Sequence, residues 1–492
     1  MDRAKIREAG TLKALLIAAV FVLDASTANA AVEISAAPTA NMTCSSGVCT
    51  PTAKKAVLNV TDLTNMLATG DVTIKSDTSS KDIEIDAALS WTSTRRLTLD
   101  SYHAIAFNKP VVVAGTGAIT ITTNDGGLNG DFSFVKQGHV EFWDLASKLI
   151  VNGNTYTLVG DLNQIALDIR HNPNSFLALA KSIRAKHRYP RSPIDHGFEG
   201  TFEGLGNTIA HLKIHSTGLE DIGLFSSVIE FSAMIRDLGL PSVSITSAGV
   251  HVGALVGSLA GGTIQNCYAT GEISSDNAQY VGGLVGVDVE SSIVNSHSEV
   301  VIAHAGSGTA GGLVGQLIGD CNFGCAGTIE GSYATGSVTG GDGSVSGGLI
   351  GYNFGGAAAD SYAAGTVSGG VTSSVGGLIG SNADNSGQHT APRLTSVYAT
   401  GSVAGGSGAM IGGLIGSDVV DATNANLYWD LDTSGISDPS KGAGNIANDP
   451  GITGLSDVQF KSGLPSGFDK NAWKRSAAIN NGYPYLIDNP PR

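Results

Sequence analysis

From residue 252 onward one six-residue phrase returns at a set interval, and this constrains the fold more than anything else in the chain. It reads VGALVG at 252–257, VGGLVG at 281–286, AGGLVG at 310–315, SGGLIG at 346–351, VGGLIG at 375–380 and IGGLIG at 411–416. The central leucines are Leu255, Leu284, Leu313, Leu349, Leu378 and Leu414, spaced 29, 29, 36, 29 and 36 residues apart. A period of 29 with two additions of seven predicts a stack of equal coils from which two loops have grown outward. One long interval holds CNFGC at 321–325 and the other runs through 384–393, which places the outgrown loops at 316–328 and 381–393.

A second phrase follows each copy of the first: NCYATG at 266–271, NSHSEV at 295–300, GSYATG at 331–336, DSYAAG at 360–365, SVYATG at 396–401 and NLY at 426–428. Aligning these gives an aromatic column of Tyr268, His297, Tyr333, Tyr362, Tyr398 and Tyr428. The column before it is Cys267, Ser296, Ser332, Ser361, Val397 and Leu427. A coil of this kind cannot bury its apolar face alone. Stacked at about 4.8 Å, every strand pairs above and below, and equivalent side chains meet as ladders. The paired glycines allow close backbone approach or positive φ at corners. Glycine at this density disfavours helix, and no 3.6-residue period runs through the region. The predicted class is all-β: a parallel β-helix, or β-solenoid.

Composition agrees. There are 67 glycines, 14% charged residues and 42% hydrophobic ones, too apolar for a disordered glycine-rich tail. The formal charge of −15 opposes a nucleic-acid partner, because phosphate binding needs the opposite field.

These phrases resemble the GLUG repeat of bacterial surface and secreted proteins, notably filamentous-haemagglutinin-like adhesins. The resemblance covers roughly residues 200–492. It takes in an entry segment, GTFEGLGNTIAHLKI at 200–214, and a closing segment with LYWDLDTSG at 427–435, SGFDKNAW at 466–473 and GYPYL at 482–486. It implies a β-helix over 200–430 with a closing segment at 431–492. It further implies adhesion or surface contact, with a host or neighbouring cell surface, a matrix protein or a glycan as partner, and a secretion partner for export.

Residues 1–30 read as a signal peptide: a basic start, the apolar run LLIAAVFVL at 15–23, and Ala28-Asn29-Ala30 as a small-x-small site, with cleavage after Ala30. The run is too short to span a membrane, so no stable insertion is expected. The chain is expected outside the cell or on its surface, with the periplasm as the alternative. Residues 31–56 read as a flexible leader rich in Ala, Thr, Pro and Ser. Residues 57–160 carry short alternating strands such as DVTIKS at 71–76, RLTLDS at 96–101, PVVVAG at 110–115 and AITITT at 118–123. They are expected to be further β-helix or a β cap. Val151-Asn152-Gly153-Asn154 reads as a hairpin turn. Residues 161–199 read as a helical, basic insertion. Asp161 with Gln164 suggests a capping box, and Pro173 is expected to separate two short helices, the second using Phe176, Leu177, Leu179, Ala180 and Ile183. The bases Lys181, Arg184, Lys186, Arg188 and Arg191 then form a solvated face.

Five cysteines fit an oxidising compartment. Short spacing pairs Cys44 with Cys49 and Cys321 with Cys325, leaving Cys267 as a buried free thiol in its column. Two isolated pairs make a poor zinc set. No cofactor or metal site is expected; Gly340-Gly341-Asp342-Gly343 only faintly resembles a calcium turn. Asp432-Thr433-Ser434-Gly435 occurs once, whereas an aspartic protease needs two such loops. HExxH is absent from the sequence. The enzymatic alternative is a β-helix polysaccharide lyase or glycoside hydrolase. It would need acids such as Asp288, Glu290, Asp320, Asp360, Asp384, Asp418 and Asp421 to converge with bases that 248–392 nearly lacks. The expectation is a non-catalytic binding or structural protein whose contacts are Asn322, Phe323, Gln388, His389 and Arg393 on the outgrown loops.

Overall fold

A computed structural model describes residues 30–319, 327–385, 391–419 and 423–491. The signal-peptide residues before Ala30 and the residues Cys321, Asn322, Phe323, Cys325, Gln388 and His389 lie outside this set.

The 29-residue period is one turn of a parallel β-helix. A typical rung consists of Tyr280–Gly282, Val285–Val289, Ser292–Val294 and His297–His304, joined by tight corners. Each strand pairs in parallel with its counterpart one period on: Tyr280 with Thr309, Val285 with Val314, Ser292 with Thr328 and His297 with Tyr333. All six repeat leucines are fully buried and form one backbone ladder. Leu255 N–H donates to Leu284 O at 3.0 Å, and the series continues to Leu378 N–H on Leu414 O at 2.8 Å. From the second copy onward the second glycine of the phrase is required by proximity, while the first copy fits Ala254 there. A Cβ on Gly283 would lie 2.1 Å from Gly312 O and from Ser298 Oγ, so no other residue fits without displacing the next rung.

Both seven-residue additions leave the stack in register. Ile318 still pairs with Val289 and Thr328 with Ser292 across the first; Ala383 pairs with Phe354 and Arg393 with Ala357 across the second.

The corner before the aromatic column is left-handed at every rung. Asn266, Asn295, Gly331, Asp360, Ser396 and Asn426 have φ between 43° and 60°. Asn, Asp and Gly tolerate this conformation best, which explains the first letter of the second phrase. The next column is a hydroxyl ladder. Cys267 N–H donates to Ser296 Oγ, Ser296 N–H to Ser332 Oγ and Ser332 N–H to Ser361 Oγ, at 3.1–3.2 Å. The aromatic column then stacks ring on ring from Tyr268 through His297, Tyr333 and Tyr362 to Tyr398, with centroids 4.6–5.2 Å apart and planes within 10°.

The N-terminal region is a parallel stack of its own, the first in chain order and with its own core; the repeat β-helix is the second. Ala31–Ser35 lies between Ala56–Asn59 and Asp82–Ile85, and the file continues through Ile105–Phe107 to Phe132–Phe134. Residues 31–56 are therefore not a flexible leader. Val32 and Ile34 are fully buried, and Met42–Ser45 with Val48–Pro51 makes a hairpin closed by the Cys44–Cys49 disulfide. A helix the sequence reading missed, α1 (Val60–Thr69), buries Leu63 and Leu67 and is capped by the Asn59 side chain. It covers the end of the stack that would otherwise expose strand edges.

The two stacks meet at the predicted Asn152-Gly153 turn. Lys148–Val151 and Asn154–Val159 pair antiparallel, so strand direction reverses there. Of the two expected helices only α2 (Leu162–His171) forms, with Asp161 accepting from Asn163 and Gln164 N–H. Residues Phe176–Leu179 are a strand instead, paired to Thr157–Val159 and to Thr201–Glu203. The reason is burial on both faces: Leu177 and Leu179 point into the second core, Ala178 and Ala180 into the first. A helix could not serve two cores on alternate residues. The five bases of this segment are exposed, as a solvated face requires. The β-helix thus begins well before residue 200. Parallel pairing also continues past 430, where Leu427–Asp430 meets Ile452–Leu455.

The closing segment packs on the tyrosine file. Phe460 from α3 (Asp457–Ser462), Phe468, Trp473, Tyr483 and Leu486 form a third apolar cluster with Tyr333, Tyr362, Tyr398 and Tyr428. Tyr398 Oη donates to Pro484 O at 2.6 Å, and the Asn489 amide donates to Ser296 O and Gly331 O.

Candidate functional site

Of the predicted contact residues only Arg393 is described. It is exposed, but it opens the strand Arg393–Ala399 on the wall of the stack and does not sit on a loop. Cys267 is free and buried, as its column demands, and burial pushes its thiol up.

Of the acids put forward for lyase chemistry, three are held in structural contacts. Asp288 points into the core, accepts from Ser291 N–H at 3.1 Å, and burial pushes its carboxyl up to about 7. Asp360 accepts from Trp473 Nε1–H at 2.7 Å and so anchors the closing segment. Asp418 accepts from Asn382 at 2.7 Å and from Asn424 at 3.2 Å. Asp320 and Asp421 lie outside the described residues. Asp432 of the DTSG sequence accepts from Asp457 N–H at the start of α3, a capping contact. Among the described residues no three histidine, cysteine or carboxylate side chains converge in a metal-ligating geometry. Nor is any helix among them long and apolar enough to cross a membrane.

One concavity lies between the two stacks. It is a cleft of about 1340 Å³ bounded by residues including His103, Asp131 and Phe134 on one side and Gln265, Tyr268 and Asn295 on the other. Beneath it sits a buried charge knot. Arg236 reaches Asp237 at 2.7 Å and Asp131 at 2.8 Å, lies 3.4 Å from Glu203, and donates to Phe132 O at 3.1 Å. Its guanidinium also covers the Phe132 ring at 4.4 Å. Asp131 and Phe132 come from the first stack and the other members from the second, so this knot clamps the two together. Burial first, and then the Asp237 carboxylate, holds Glu203 well above the usual carboxylate range. Arg236 is consumed by these contacts. Apolar side chains such as Leu128 and Phe134 line the cleft together with hydrogen-bonding groups and the Tyr268 end of the aromatic file, an arrangement that can bind. Sequence reasoning missed this cleft because its walls come from residues more than a hundred positions apart.

The fold and its ladders define a β-solenoid, and comparison with known proteins finds a sequence family in one of its rungs. Residues 248–274 match the family model "The GLUG motif". Halomucin from Haloquadratum walsbyi is 29% identical over 172 residues, covering 33% of this chain. The match spans only 2% of halomucin's own length. Among solved structures, a candidate immunoglobulin A1 protease from Bacteroides ovatus aligns over 68% of this chain and 93% of its own, at 18% identity and a TM-score of 0.42.

Proposed function

We propose that this protein is an exported surface or extracellular β-solenoid that binds and supports rather than catalyses, in the manner of filamentous-haemagglutinin-like adhesins. The observation that carries this reading is the constancy of register across both seven-residue additions. A scaffold that absorbs insertions without shifting a rung can present varied loops on an unchanged wall, and contacts concentrate on loops held by rigid scaffolds. The GLUG match and the likeness to halomucin support it, as does the basic-then-apolar start of the chain. The structural engagement of Asp288, Asp360 and Asp418 weighs against the lyase or hydrolase alternative.

The test exchanges both additions for the plain 29-residue version. Circular dichroism and melting should hardly change, while attachment to cells, matrix proteins or arrayed glycans weakens. Unchanged attachment would move the contact surface elsewhere, with the inter-stack cleft and Tyr268→Ala next in line. Degradation of a polysaccharide panel, stopped by substituting Asp360 or Asp418, would establish the lyase or hydrolase instead.

A further inference from the structure

The aromatic file stops inside the cleft between the two stacks. Tyr333, Tyr362 and Tyr398 are fully buried, but Tyr268, at the end of the file, is partly exposed and lines the cleft. The residue paired with it one rung earlier is Gly239, which has no ring to continue the stack. A Cβ there would lie 2.3 Å from Tyr268 Cε1, so the tyrosine ring leans over the glycine. Leu128 and Phe134 add apolar surface from the first stack.

Both stacks also bring side-chain amides to the cleft: Gln137 from the first, Gln265 and Asn295 from the second. Among the described residues none of these three side chains has a hydrogen-bond partner. An amide both donates and accepts, as a hydroxyl does. Five carboxylates line the cleft, those of Asp82, Glu84, Asp131, Asp237 and Asp488, against the exposed Lys136 and the buried Arg236. The field is therefore negative and repels sulfated or uronate chains. Three of these acids are already engaged within the protein. Asp82 accepts from Ala104 N–H and bonds to His103, while Asp131 and Asp237 hold Arg236. The strand Phe132–Phe134 is the edge of its sheet here, yet it is closed to an added peptide strand at Phe132. Phe132 N–H donates to Asp131 Oδ1 at 2.8 Å, and Phe132 O accepts from Arg236.

We infer that the cleft binds an uncharged oligosaccharide, with the C–H face of one sugar ring stacked on Tyr268 where the file stops and hydroxyls bonded to Gln137, Gln265 and Asn295. This rests on the binding reading above and names its ligand class. A sugar ring joins an apolar face to a rim of hydroxyls, and an aromatic face beside planar amides matches both. A cleft of about 1340 Å³ exceeds the roughly 300–1,000 Å³ of a drug-sized pocket, so it suits a chain of several rings. Each stack supplies part of the site, so the site exists only while the Arg236 knot holds the two together.

The test titrates the whole mature chain, by calorimetry and saturation-transfer NMR, with hexasaccharides of glucose, mannose and N-acetylglucosamine and with hexasaccharides of heparin and hyaluronan. The expected result is binding of at least one neutral series and of neither anionic one. Tyr268→Ala should weaken binding about tenfold, and Tyr268→Phe by less than about threefold because the ring face is kept. Gln137→Ala and Gln265→Ala should each weaken it about three- to tenfold with circular dichroism and melting unchanged. These two carry the test should Tyr268→Ala not fold. The proposal is overturned if millimolar neutral sugars do not bind, if the anionic chains bind more tightly, or if sugar binding is indifferent to all four variants. A peptide array that binds through Tyr268 when the sugars do not would overturn it as well. Attachment to cells and matrix proteins is measured alongside. Attachment without any sugar binding sinks the cleft proposal alone, whereas a protein that attaches to nothing sinks the binding reading with it.

Discussion

Two tyrosines in the same file should respond oppositely to loss of one oxygen. Tyr362 and Tyr398 are both fully buried and stack on each other at 5.0 Å with planes 1° apart. Their hydroxyls differ. Tyr398 Oη donates to Pro484 O at 2.6 Å and accepts from Asn480 Nδ2 at 2.8 Å. Tyr362 Oη is buried with no hydrogen-bond partner. Tyr362→Phe keeps the ring stack and removes an unsatisfied buried group, so it should be neutral or stabilise by about 1 kcal/mol. Tyr398→Phe loses two bonds and should cost about 1–2 kcal/mol; the loss is moderated because Asn480 still donates to Pro484 O, at 2.7 Å. Tyr362→Ala removes the ring as well and should cost about 3–5 kcal/mol for the cavity, with about 1 kcal/mol more for each lost ring pair. Urea unfolding followed by tryptophan fluorescence suits the measurement, since Trp473 lies 6.1 Å from the Tyr362 ring and 5.7 Å from that of Tyr398. If Tyr362→Phe destabilises as much as Tyr398→Phe, the Tyr362 hydroxyl is engaged and the file is not a dry stack.

Three further outcomes follow from buried charge and thiol. The folded Asp288 carboxyl is raised to about 7 while the unfolded chain releases its proton near 3.8, so stability falls as pH rises between these values and then levels off. Asp288→Asn should abolish that slope, matching the wild type at about pH 3.5 and exceeding it by up to about 4 kcal/mol at about pH 8 in paired denaturation curves. Arg236→Met should strand buried carboxylates at the junction of the stacks and cost about 3–5 kcal/mol, read by differential scanning calorimetry; a change under about 1 kcal/mol would mean the knot does not clamp them. Cys267 should resist iodoacetamide in the native protein and react fully in denaturant, as read by mass mapping, and Cys267→Ser should change stability by no more than about 1 kcal/mol because serine occupies the next three rungs of that column.

The helices and the ends were the least legible parts. α1 left a local trace in Asn59 followed by Leu63 and Leu67, but that trace lies inside a run of strand-like segments. Phe176–Leu179 looked helical because Leu177, Leu179 and Ala180 can share a helix face. Only the second core on the far side makes alternate burial the better solution. Residues 31–56 have the composition of a leader, and their order comes from pairing with residues 56–59 and 82–85 and from the disulfide.

By itself the sequence determined the periodic part: the 29-residue rung, the leucine and aromatic files, the buried free cysteine and a register that two insertions leave unchanged. Stacking puts equivalent residues in contact, so a one-dimensional period becomes a three-dimensional neighbour list. Only the tertiary structure decided what is not periodic. The reversal at Asn152-Gly153, the Arg236 knot, the cleft above it and the Asp418–Asn445 bonds each join segments with no shared spacing. Their contacts arise where two stacks or a closing segment meet, and no local pattern encodes that meeting.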